Sequence, residues 1–173
     1  MSRTPGLFDF SGQKARNIER WSAIGWDEVA SFIGPNAQRF ERAWAGTREK
    51  MLTGRGGMTF GFCWPALLFG FAWFLYRRMW TMGAVLLVLP VALAFLIASP
   101  GGSIGISVAM AMFAKSLYAQ HAVARIAEVR GAGGGEAEVA AAGGISALGG
   151  AIGGLILAAG IAALVYTVTQ TWP

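Results

Sequence analysis

The stretch Gly144–Thr169, GISALGGAIGGLILAAGIAALVYTVT, contains no charged side chain. A bilayer core about 30 Å thick is crossed by roughly 20 apolar residues in a helix, and this stretch exceeds that length. Small residues recur at every fourth position leading into and along it: Ala142, Ser146, Gly150, Gly154, Ala158 and Ala162. Gly149 and Gly153 add a second small pair. On a helix this spacing makes a groove of missing side chains. In lipid, where hydrophobicity does not drive helices together, such a groove permits close approach and interhelical hydrogen bonds. Ser146, Gly149, Gly150, Gly153, Gly154, Ala158 and Ala162 are therefore the candidate packing or partner face. The occupant is either another subunit or the chain's own helices.

Working back toward the N-terminus, three more apolar stretches appear. Phe60–Tyr76 is crowded with aromatics and holds Pro65 and Gly70; Met79–Ala98 is rich in Leu, Val and Ala; a third begins near Ile104 and turns polar at Lys115. Ser99-Pro100-Gly101-Gly102-Ser103 reads as a turn between the last two. Trp and Tyr favour the headgroup zone, so Phe60–Tyr76 fits a re-entrant or interfacial segment better than a plain span. Charge placement points the same way. With three spans, all fourteen bases fall on the cytoplasmic side. With four, Arg77, Arg78, Lys115, Arg125 and Arg130 move outside, against the positive-inside tendency. The expected fold is all-α. It is a polytopic helical membrane protein with three transmembrane helices, an aromatic re-entrant or interfacial segment and short N-terminal cytosolic helices.

Residues 1–58 are more polar. Nine bases and six acids precede Phe60, a net charge of 9 − 6 = +3. Ser11 begins one helical pattern to about Ile24. Trp26, Val29, Ala30 and Ile33 mark a second, and Asn36 opens a third from Ala37 to about Leu52. These amphipathic helices bury little surface alone and are expected to pack on one another, the membrane or a partner. The chain thus divides into a cytosolic helical region (1–58), an aromatic segment with a transmembrane hairpin (59–130), a Gly/Ala-rich linker (131–143) and a C-terminal transmembrane helix (144–173). The linker, with Gly133, Gly134 and Gly135, lacks the Lys-Ser/Thr ending of a phosphate loop.

Composition excludes several function classes. Hydrophobic residues are 55% and charged residues 13% of the 173 positions, with mean hydropathy +0.52. Soluble domains carry roughly 25% charged residues. The positive charge forms no dense basic stripe, so a nucleic-acid partner is not expected. Met1–Gly12 lacks the apolar core of a cleavable signal. Cys63, the one cysteine, sits in an apolar aromatic run and reads as a small buried hydrophobe. No metal site or cofactor is expected, and no catalytic arrangement is recognisable, so the chain reads as a non-enzyme. No acid lies inside any apolar stretch, which argues against a proton relay.

The remaining candidates are contacts at the membrane surface. Trp64, Trp73, Tyr76, Arg77, Arg78 and Trp80 cluster around the end of the aromatic run. Lys115, Tyr118, His121 and Arg125 follow at helical spacing beyond the third stretch. These ten residues are the expected interface or headgroup contacts.

The residues also carry a resemblance. Trp26–Phe40 (WDEVASFIGPNAQRF) and Phe60–Trp80 (FGFCWPALLFGFAWFLYRRMW) resemble a bacterial membrane family catalogued as domain of unknown function 2628. The matching positions are Phe32, Gly34, Asn36 and Ala37, then Trp64, Ala66, Phe69, Gly70 and Trp73. Tyr76, Arg77, Met79, Trp80 and Tyr118 complete them. Pro65, Phe71 and Lys115 depart from the family pattern. The resemblance covers roughly residues 26–125 and leaves out the glycine-rich stretch and the last span. It implies a protein of the bacterial inner membrane and supplies no activity. The expected role is a non-catalytic accessory or scaffolding subunit that binds lipid and a membrane-protein partner. A small homo-oligomeric, transport-associated component is the alternative.

Overall fold

The computed structural model describes residues 10–97 and 102–171. Nine helices, and no strand, occur among the described residues: α1 (Phe10–Ala23), α2 (Trp26–Ile33), α3 (Gln38–Leu52), α4 (Trp64–Phe69), α5 (Phe71–Tyr76), α6 (Trp80–Ile97), α7 (Gly102–Gly131), α8 (Glu136–Ala142) and α9 (Ala147–Thr171). They form two compact units. Residues up to 60 join 119–143 in the first, and 61–118 join 144 onward in the second. The division falls inside α7, because its sequence changes character there. The helix is apolar before Lys115, then places Ala119, Ala122, Val123 and Ile126 on one buried stripe.

The first unit is built like a water-soluble domain. α1 packs on α3, and α2 on α8. Trp21, Ile24, Val29, Phe32, Ile33, Phe40 and Trp44 are buried together with the α7 stripe. Each large aliphatic or Phe side chain so buried contributes about 1.5–3 kcal/mol against exposure to water. Arg48 bridges two elements: its Nε–H donates to the Trp21 carbonyl at 3.1 Å. Its guanidinium also lies 5.5 Å from the centre of the Trp44 ring. Gly34, at φ +83, closes α2 in a conformation that a side chain would strain.

One expectation is corrected here. The Gly/Ala-rich stretch 131–143 is not a plain linker, because Glu136–Ala142 forms α8 and seats Val139, 2% exposed, in the core. Gly143 then passes so close to the Phe32 backbone carbonyl that any Cβ would collide with it.

The aromatic stretch Phe60–Tyr76 does not form one helix. Gly70, at φ +48 and ψ −123, separates α4 from α5, and each has six residues. At 1.5 Å per residue each measures about 9 Å, far short of a bilayer core. α5 packs on α4, α6 and α9. Ahead of α4 the extended chain runs along α7: the Gly61 and Cys63 N–H groups donate to the Met112 and Ala111 carbonyls, both at 2.9 Å.

Among the described residues, one helical stretch, within Glu136–Thr171, is long and apolar enough to cross a membrane, and its apolar part is α9. α6 is apolar over its 18 residues, Trp80–Ile97, of which Trp80–Leu89 lies among the fully described residues. Of the three spans expected from the sequence, one meets it among the described residues.

Candidate functional site

The start of α9 is fixed by a serine. Ser146 stands immediately before the helix, and its Oγ accepts from the Gly149 N–H at 3.0 Å. This is the bond of a helix N-cap. Its own N–H donates to the Tyr76 carbonyl at 2.8 Å, tying the first turn of α9 to the last residue of α5. In the small-residue ladder Ser146 counts only as a small side chain. A serine directly ahead of an apolar helix was the available sign of a cap.

α5 then lies in a seat made by glycines. Gly149 faces the Leu75 carbonyl at a separation no Cβ could share, and a Cβ on Gly153 would fall 2.7 Å from that of Ala72. Both glycines are buried. On the other side, Gly83 of α6 leaves room for the Leu75 side chain. Gly83, Ala72 and Leu75 were not among the sequence candidates, since only the position of α5 gives them meaning.

The small-residue ladder is therefore divided. Ser146, Gly149 and Gly153 meet the chain's own α5, and Gly150 meets the edge of Tyr76. Gly154 has nothing within 4 Å of a built Cβ, and Ala158 and Ala162 are exposed. Leu148, Leu155, Ile161, Leu164, Val165 and Tyr166 are exposed around the helix.

The two neighbouring arginines diverge. Arg77 is 8% exposed and its guanidinium stacks 5.1 Å from the centre of the Tyr118 ring. Trp73 closes the group edge-on, with centroids 6.2 Å from Tyr118 and 4.9 Å from Phe74. Trp73, Arg77 and Tyr118, expected at the headgroup level, are thus interior groups of the second unit. Arg78 is exposed and has φ +60, the one non-glycine residue with positive φ among those described. Trp64 and Trp80 are exposed, while Tyr76 and Lys115 are half-buried.

His121 and Arg125 fall in the first unit. His121 meets the Phe32 ring edge-to-face at 6.5 Å, whereas Arg125 is exposed and paired with Glu128. Burial, reinforced by the Arg125 charge and opposed by Glu128, holds the His121 imidazole below its usual range. A cleft of about 150 Å³ in the same unit is lined by Asp27, Glu28, Ser31, Arg130, Glu136 and Val139, with Arg130 ion-paired to Glu28. Among the described residues no three His, Cys, Asp or Glu side chains are grouped to hold a metal.

The two units differ most in their surfaces. Every exposed large hydrophobic side chain among the described residues, except Met58 and Phe60, belongs to the second unit. That unit contains no acid, and its bases are Arg77, Arg78 and Lys115.

Residues 36–130 match the model of a family described as protein of unknown function (DUF2628). No curated protein and no solved structure matches the chain.

Proposed function

The chain belongs to the DUF2628 family, and on that premise we propose that it is a non-catalytic, multi-pass accessory protein of the bacterial inner membrane. The observation that carries the membrane part is the surface of the second unit. A helix exposing Leu155, Ile161, Leu164, Val165 and Tyr166, without a charge along its length, has no stable place in water. α6, α9 and the apolar half of α7 cross the bilayer, α4 and α5 remain in the inner leaflet, and the N-terminus is cytoplasmic. α9 uses Gly149 and Gly153 to hold α5. The open remainder, Gly154, Ala158 and Ala162, is left for a membrane-protein partner, and the first unit adds a cytosolic contact.

Gentle detergent extraction followed by native mass measurement tests this role. Co-migration with a larger membrane complex, lost when Gly154 and Ala158 are both replaced by Leu, is the expected result. A monomer that never associates removes the accessory role. A discrete homo-oligomer replaces it with self-assembly.

A further inference from the structure

α4 presents its apolar side chains outward. Ala66 is buried at 1% exposure, while Trp64, Leu68 and Phe69 are 65%, 67% and 51% exposed. Trp64 and Leu68 are one helical turn apart, so they share an outer face. Water would not favour this face, and α4 is too short to cross a membrane. The remaining environment is the boundary between headgroups and acyl chains, where Trp is enriched.

The charge of the second unit is one-sided. The second unit has three bases and no acid, and of these Arg77 is committed to the Tyr118 ring. Arg78 follows it in a left-handed backbone conformation that residues with a Cβ seldom adopt, and its side chain is exposed. The turn thus sends one arginine inward and the next outward. Arg78 sits just past the C-terminal end of α5, and α4 joins the other end through Gly70. Six residues of α5 set these two levels about 9 Å apart. Interfacial segments bury their apolar faces by about 5–10 Å, so an arginine at phosphate level would place Phe69 and Leu68 among the upper acyl carbons.

We propose that the outer face of α4, with Arg78 above it, is a seat for the anionic headgroup layer of the bilayer. This rests on the membrane reading given above and adds which lipid surface the chain selects and which residues select it. Arg78 supplies the attraction to phosphate, and Trp64, Leu68 and Phe69 supply the wedge beneath. Arg77, though adjacent, has no part in lipid selection.

The test uses the full chain reconstituted in phosphatidylcholine bilayers with and without phosphatidylglycerol. Native mass spectrometry then reads which lipids stay bound. Arg78→Gln is expected to lower the retained phosphatidylglycerol relative to phosphatidylcholine by about fivefold. A fluorophore attached at Leu68→Cys in a Cys63→Ser background is expected to be quenched by brominated acyl chains and not by aqueous iodide. Resistance to alkaline carbonate is scored separately. If the chain is washed off the membrane, the underlying membrane reading fails. If it stays embedded yet Arg78→Gln leaves the lipid ratio unchanged, or iodide quenches the probe, the seat is overturned while the membrane reading stands.

Discussion

His121 shows how far a single residue can be read from its neighbours in sequence. Its spacing from Tyr118 and Arg125 placed all three on one helix, and α7 contains them. Their surroundings nevertheless differ: Tyr118 is fully buried, His121 half-buried and Arg125 exposed. The decisive neighbour, Phe32, lies far away in the chain, so no local pattern could announce it. The consequence is a pH dependence. The unfolded imidazole titrates near 6.5, and the folded one below that, so the unfolded state binds more protons in the window between the two values. Stability is unaffected by this group above about pH 6.5 and falls as the pH drops through and below it. Thermal unfolding of the full chain in detergent, followed between neutral pH and about pH 5, should show this loss. His121→Leu should flatten the curve in that window. Equal slopes in the two proteins would show that His121 is not the group responsible.

At the scale of the element, the helices themselves were legible and their partners were not. The apolar stretches ending near Ala98 and Thr169 correspond to α6, which ends at Ile97, and α9, which ends at Thr171. Uninterrupted hydrophobicity and glycine-rich boundaries mark such segments without any tertiary information. The helix within 131–143 is not legible locally, because Gly and Ala signal flexibility in isolation. Val139 is the one large apolar side chain there, and its burial orders the rest. The ladder on α9 offered two overlapping small faces, and only α5 decides between them. Gly153→Leu should therefore destabilise the protein by about 1–3 kcal/mol or more, since Ala72 blocks the new side chain. Gly154→Leu, with open space around it, should change stability by less than about 0.5 kcal/mol. Melting temperatures of the two variants, both taken in detergent without partner, make the comparison. Similar losses in both would mean that α5 does not occupy the Gly149–Gly153 face.

For the whole molecule, the segregation of charge was visible in the sequence, and the structure adds a direction. α9 runs antiparallel to α5, because Gly149 sits at Leu75 and Gly153 one turn on at Ala72. α6 also packs against α5, with the Met79 N–H bonded to the Phe74 carbonyl and Gly83 against Leu75. α6 and α9 thus both start beside the C-terminal end of α5. If α6 crosses the bilayer and α7 returns, α9 must cross again and finish on the far side. Membrane-impermeant maleimide on intact spheroplasts tests this. In a Cys63→Ser background, Thr171→Cys should be labelled from outside, and Arg39→Cys only after the membrane is opened. Arg78→Cys should behave like Arg39→Cys, because in the proposed topology α5 ends on the inner side. External labelling at position 78 would mean that the aromatic segment spans after all. Protection at position 171 in sealed cells would mean that α9 does not cross.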